Sequence, residues 1–148
     1  MATNTIQAIM KIVIDRKRRG PEVVALTVYA QEPSERAARW QFKIDVWSEK
    51  NSGQFQMRLE GFNYLRLWKD DSLPGLLMSL TALGTSEVLE TFKQMQEVIQ
   101  EAITQLRKEG QTLPDMPETP ELVVVEYFEA AKSTVLKELA PLASSGGN

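Results

Sequence analysis

Two runs of alternating apolar and polar residues, joined by a short polar turn, constrain the fold of this chain more than any other feature. The runs cover residues 39–47 and 54–60, and Gly53 ends the turn between them. A period of two is typical of a strand with one buried and one solvated face, and a turn with Gly joins two such strands into a β-hairpin. The apolar face of the predicted hairpin contains Trp40, Phe42, Ile44, Val46, Phe55, Met57 and Leu59.

The opposite face of this hairpin carries cations, amides and one indole. It contains Arg39, Gln41, Lys43, Asp45, Trp47, Gln54, Gln56, Arg58 and Glu60. A solvated face of this composition suggests a binding surface. An exposed Trp47 could stack on an unpaired base or on a side chain of a partner. The alternative is that Trp47 is buried under a C-terminal helix, because Ile9, Val13, Val23 and Ala25 make the same face of the preceding strands partly apolar.

Length and composition indicate a single soluble domain. The chain has 148 residues, of which 43% are apolar and 25% charged, values that are ordinary for a globular protein. No apolar run approaches the roughly 20 residues of a membrane span, and the N-terminus lacks the basic flank and apolar stretch of a signal peptide. We therefore expect a cytoplasmic protein without a membrane partner.

The absence of cysteine and histidine narrows the possible chemistry. Without Cys there are no disulfides, thiol nucleophiles or Cys-ligated zinc sites, and without His the commonest general base and transition-metal ligand are missing. The chain also lacks a phosphate-binding Gly-rich loop, a dinucleotide fingerprint and a nucleophile elbow. We expect a non-enzymatic protein with no catalytic residues, no metal site and no cofactor.

Charge is unevenly distributed along the chain. Residues 1–69 contain 12 Lys and Arg against 7 Asp and Glu, whereas residues 70–148 contain 5 against 13. Such asymmetry can mark an anionic partner for the basic half, or the two halves can complement each other within the fold.

Two further strands are predicted before the hairpin. The first spans the alternating residues 6–14, and the second is the β-branched run from Val23 to Ala30. Between them the Gly20-Pro21 pair predicts a turn that displays Arg16, Lys17, Arg18 and Arg19 at its tip. Clustered cations at an exposed tip can bind phosphates by releasing counterions, or they can be a solubilising turn or protect an edge strand.

Four strands at short intervals predict an antiparallel β-meander of four to five strands. Residues 62–82 leave open whether the sheet continues or a helix begins. From Thr85 the apolar period becomes helical, through Val88, Phe92, Met95, Ile99, Ala102 and Leu106. We predict a long amphipathic helix from Thr85 to Glu109 that backs the sheet, capped by Thr85 or Ser86 and closed by Gly110.

The C-terminal third predicts a linker and a second helix. Residues 111–120 contain prolines and are expected to be an extended linker after an α+β domain of residues 1–110. Residues 121–142 are predicted to be a helix with an apolar stripe, and residues 143–148 a disordered tail. The stripe contains Val124, Phe128, Ala131, Val135, Leu139 and Leu142. A tethered apolar helix either folds back on the sheet or pairs with a second copy, and we expect a homodimer.

One resemblance accompanies the order of hairpin and helix. The segments Phe42 to Val46, Ser52 to Leu59 and Leu77 to Val98 resemble the PUR repeat of single-stranded nucleic-acid-binding proteins. The resemblance covers about 60 residues, and the Lys/Arg-rich strand motif expected in PUR repeats is not matched. PUR repeats, like the Whirly and PC4 families, form a ββββα unit and usually act as dimers, so the resemblance implies that architecture.

The leading hypothesis is an α+β module that binds single-stranded nucleic acid through its sheet. Phosphates would contact Lys11, Arg16, Lys17, Arg18, Arg19, Lys43, Arg58 and Arg66, and bases would stack on Tyr29 and Trp47. The alternative is an adaptor, complex subunit or assembly chaperone that binds a protein partner with the same face and the C-terminal helix. A sheet face that is open and positive favours the first, and one that is covered and neutral favours the second.

Overall fold

A computed structural model describes residues 10–20, 22–33, 40–48, 53–116 and 118–146. One antiparallel sheet contains the strands in sequence order, β1 (Lys11–Arg19), β2 (Glu22–Gln31), β3 (Gln41–Ser48), β4 (Phe55–Gly61) and β5 (Tyr64–Asp70). Three helices follow, α1 (Leu73–Ala82), α2 (Thr85–Lys108) and α3 (Glu121–Gly146). The expected α+β fold, with an antiparallel meander, a long helix and a C-terminal helix, is confirmed.

The hairpin of β3 and β4 has the predicted faces. Ile44 lies opposite Leu59 and Val46 opposite Met57, so that their side chains share the apolar face. Ile44, Met57 and Leu59 have no solvent exposure, whereas the next register pair, Asp45 and Arg58, is only partly buried. Residues 49–52, which include most of the predicted turn, lie outside the described residues.

Residues 62–82, whose structure the sequence left open, contain a strand followed by a helix. Phe62 and Asn63 have φ of 52° and 64°, and form a two-residue turn between β4 and β5 with the right twist for a hairpin. Helix α1 begins after Ser72, whose side chain accepts a hydrogen bond of 3.1 Å from the amide of Gly75. The aromatic residues of β5 end at Trp68, and Pro74 lies in the first turn of the helix, where its missing N–H would have no helical partner.

Helix α3 covers the centre of the sheet and belongs to the same core as the strands. Its Phe128 ring meets the ring of Phe42 edge to face with 5.4 Å between centroids. Its predicted stripe is buried from Val124 to Leu139 against the apolar face of β2 and β3. The expectation that this stripe pairs with a second copy is therefore wrong, because burial in its own chain already removes it from water. The helix also continues past the predicted end at Leu142 to Gly146.

Helix α2 is confirmed over almost its whole predicted length, but its position differs from the expectation. It packs mainly against α3 and β5, so α3 rather than α2 backs the middle of the sheet. Its N-cap is Gly84, while the hydroxyl of Thr85 is bonded to Glu129 of α3 instead of capping the helix. Val88 and Phe92 are its buried residues.

A candidate interaction surface on the sheet

All three helices lie against one face of the sheet, and no described element covers the other. We call this second face the open face. Cross-strand partners point to the same side of a sheet, so the strand register arranges the open face in rows. Read from β1 to β5, the rows are Val13, Tyr29, Lys43, Glu60 and Leu65; then Asp15, Thr27, Asp45, Arg58 and Leu67; then Lys17, Ala25, Trp47, Gln56 and Lys69.

An ion-pair network occupies the middle of the open face. The carboxylate of Asp45 lies 3.4 Å from Nη2 of Arg58 and 3.7 Å from Nζ of Lys43, and it accepts a 2.6 Å hydrogen bond from Thr27. Glu60 lies 3.6 Å from both cations. These contacts neutralise two of the predicted phosphate ligands, so the centre of the face is not positive.

Exposed leucines lie beside this network on β5. Leu65 is 66% exposed and Leu67 is 60% exposed, next to Glu60 and Arg58 in their rows. Leaving apolar area in water costs about 25 cal/mol per Å². Grouped exposed aliphatic side chains therefore favour a site that becomes covered, while single ones are ordinary on a protein surface.

The third row places an indole between lysines. Trp47 is partly exposed, and Lys17 on β1 and Lys69 on β5 lie two strands away on either side. Neither lysine forms an ion pair with any described residue. The alternative that α3 buries Trp47 from this side is wrong, because α3 packs on the opposite face.

The structure separates the four cations that the sequence placed together at a hairpin tip. Strand β1 continues to Arg19, so their side chains alternate between faces instead of meeting in a turn. Arg16 shares a row with Leu26 and Val46 on the helix-covered side, where it pairs with Glu138 of α3. A register shift follows between Lys17 and Arg18. The prediction that a turn displays all four cations at its tip is wrong, because the strand continues to Arg19 instead of ending near Asp15. Phosphate binding by these residues stays a prediction.

Arg66 is also on the helix-covered side, at the junction of β5 and α2. Its guanidinium lies 3.3 Å from the carboxylate of Glu87 and 4.6 Å from the centre of the Trp68 ring. The hydroxyl of Tyr64 donates a hydrogen bond of 3.4 Å to Glu87, and burial raises the pKa of Tyr64. Arg66 therefore helps to hold α2 on the sheet, and it lies on the opposite face from Lys43 and Arg58, the residues with which it was predicted to bind phosphates.

Most of the remaining predicted residues do share one surface. The open face carries Lys11, Lys17, Tyr29, Lys43, Trp47 and Arg58, while Arg18 and Arg19 lie at the end of β1. Sequence reasoning did not include Leu65, Leu67 and Lys69 in the predicted site. Their spacing of two was a usable signal, but residues 62–82 were not assigned to a strand.

Other kinds of site find little support in the part of the chain that the structure describes. No group of three or more acidic side chains is arranged to hold a metal ion among these residues. None of the described helices has both the length and the hydropathy of a membrane span. No family model, curated protein or solved structure matches the chain. The resemblance to PUR repeats therefore stays a prediction.

Proposed function

We propose that this chain is a non-enzymatic protein-interaction module, an adaptor or complex subunit, that binds its partner on the open face. The exposed pair Leu65 and Leu67, beside cations that carboxylates of the same chain already neutralise, is the observation that supports this most. A protein partner can bury aliphatic side chains without breaking that network. A phosphate backbone would have to compete with Asp45 and Glu60 for the same cations.

The charge of the open face adds a property of the partner. Outside the central network, Lys11, Lys17 and Lys69 lie at its margin and pair with none of the described carboxylates. Margins of interfaces are polar, and complementary charge there speeds association and selects partners. The partner we propose presents aliphatic side chains over Leu65 and Leu67 and acidic side chains toward these lysines.

A purified partner allows the proposal to be tested by paired substitutions. The partner is isolated by affinity capture, purified, and titrated against the wild type and against Leu65→Ser with Leu67→Ser. We expect at least about a tenfold loss of affinity, because fully burying a leucine side chain contributes about 1.5–3 kcal/mol and the two substitutions remove that contribution twice. Leu122→Ser is the matched control, since Leu122 is 51% exposed on α3 and distant from the open face. Equal affinity of the leucine variant and the wild type would refute the proposed surface.

Single-stranded nucleic-acid binding is the second candidate, and one observation favours it. The row that places Trp47 between Lys17 and Lys69 combines a stacking platform with two cations. Fluorescence anisotropy with labelled oligo-dT and oligo-U, at low and moderate salt, measures this activity directly. Micromolar binding that Trp47→Ala weakens by about 1–3 kcal/mol, and that Leu65→Ser with Leu67→Ser leaves unchanged, would favour nucleic acid over protein.

A further inference from the structure

The second half of α2 extends past the start of helix α3. Nζ of Lys93 lies 4.0 Å from the carboxylate of Glu121 at the start of α3, and Thr85 contacts Glu129 further along α3. The two helices are therefore antiparallel, and α2 continues past the start of α3. We call residues 94–108 the overhang; at 1.5 Å per residue it is about 20 Å long.

The residues after α2 fold back along only one side of the overhang. Nη2 of Arg107 donates to the carbonyl of Leu113 at 2.9 Å and lies 3.0 Å from Asp115. The apolar side of the overhang stays largely uncovered by described residues. There Met95 is 36% exposed, Val98 56% and Leu106 41%.

We propose that this apolar side binds the overhang of a second copy of the chain as an antiparallel helix pair. Met95, Ile99, Ala102 and Leu106 recur at alternating intervals of four and three residues, the spacing of a coiled-coil seam. The seam is symmetric about the point between Gln100 and Glu101. A twofold axis at that point sets Met95 of one copy against Leu106 of the other, and Ile99 against Ala102.

The same axis also places the two overhangs side by side over their whole length. Lys93, which pairs with Glu121 at the start of α3 in its own chain, comes level with Lys108 of the second copy, where its helix ends. Each sheet and its helices then lie at opposite ends of the pair. A parallel pair would bring both folds to the same end, where they would compete for space.

Charge on α2 also suits a second copy. The positions that flank the seam are Gln96, Val98, Ile103 and Gln105, which are all uncharged, so identical chains meet without like-charge contacts. The charged residues Glu97, Glu101 and Arg107 point away from the seam. Antiparallel helices also set the positive end of each helix dipole beside the negative end of the other.

The contact is short, which sets the expected affinity. Specific stable complexes bury about 1,200–2,000 Å² in total, and two helices touching over 20 Å bury less than this. We therefore expect a weak dimer, with a dissociation constant on the order of 10–100 μM.

Sedimentation equilibrium of the full chain tests the proposal. The concentrations run from about 5 μM to about 1 mM, so that they bracket the expected dissociation constant. Wild type should shift from monomer to dimer. Ala102→Glu should raise the dissociation constant about tenfold or more, because it places a charge in the seam. Thr104→Glu, exposed on the other side of the same helix, is the matched control and should dimerise like wild type. A wild-type monomer at all concentrations, or equal effects of both substitutions, overturns the proposal.

Engineered cysteines test the antiparallel register, because the natural chain has none. Mild oxidation of an equal mixture of Ile99→Cys and Ala102→Cys chains should give mainly the mixed disulfide. Each variant alone should crosslink several-fold less. Preferential crosslinking of each variant with itself indicates a parallel pair and overturns the proposed arrangement.

Discussion

Helix α3 and the overhang of α2 carry similar apolar stripes but differ in what covers them. On α3 the stripe from Val124 to Leu139 is buried against the sheet, whereas on α2 burial ends at Phe92 and the stripe continues through exposed Met95, Val98 and Leu106. The period of apolar residues shows that a helix has a face to cover. It does not show whether the same chain supplies the cover.

The largest expected effect is the difference in unfolding free energy between a substitution in the buried stripe of α3 and one in the exposed stripe of α2. Phe128→Ala in α3 removes a fully buried ring in contact with Phe42 and should lower the free energy of unfolding by about 3–5 kcal/mol. Val98→Ala in the overhang should change it by less than about 0.5 kcal/mol. Urea unfolding of both variants at low micromolar concentration, below the dissociation constant of the proposed dimer, measures the difference. Similar losses would contradict the contrast between the two helices.

The next prediction compares two cations that donate hydrogen bonds to carbonyl groups, Lys132 on α3 and Arg107 on α2. Nζ of Lys132 on α3 donates to the carbonyls of Leu83 at 2.7 Å and Thr81 at 3.2 Å, at the end of α1. Lys132→Met should cost about 1.5–3 kcal/mol, since these hydrogen bonds involve a charge and satisfy carbonyls at a helix end. Arg107→Met, whose contacts are exposed, should cost less than about 1 kcal/mol in the same assay.

Alkaline pH tests how firmly the first half of α2 is anchored. Burial raises the pKa of Tyr64 above its ordinary value of 10.0. Its contribution is therefore complete below pH 10 and is lost as pH rises toward the folded-state pKa, because the unfolded chain ionises first. Tyr64→Phe should lose about 1 kcal/mol at pH 7 with its hydrogen bond to Glu87, and should be less sensitive than wild type above pH 10. Thermal unfolding of the wild type and of Tyr64→Phe, at pH 7 and above pH 10, measures this. An equal fall in Tm for both proteins between the two pH values would contradict it.

The smallest effect concerns the ion pair between the sheet edge and α3. Arg16→Ala removes the partner of Glu138 and should cost only about 0.2–1 kcal/mol, because the pair is solvated. Oligonucleotide affinity should not change with Arg16→Ala, because Arg16 lies on the helix-covered side of the sheet. Lys17→Ala, on the open face, is the matched comparison. A larger loss of oligonucleotide affinity with Arg16→Ala would restore the hairpin-tip hypothesis.

The sequence predicted most strands and helices well, but it did not predict the contacts between them. Alternation placed Ile44 and Leu59 on the buried face, and helical spacing placed Val88 and Phe92, because both patterns depend only on local backbone geometry. The pairing of Arg16 with Glu138 could not be predicted, since it joins residues far apart in the chain. The neutral centre of the open face could not be predicted for the same reason, because Asp45 and Glu60 meet Lys43 and Arg58 only once the strands are in register.

The order of the meander and its cover has a consequence for synthesis on the ribosome. Every strand pairs with its neighbour in sequence, but the helix that completes the core comes last among the described elements. At about 5–20 residues per second, roughly 3–10 s separate the emergence of β5 from that of the first turn of α3. During this interval the apolar area that α3 later covers, including Phe42, is open to water, and such transiently exposed surface favours aggregation of a nascent chain.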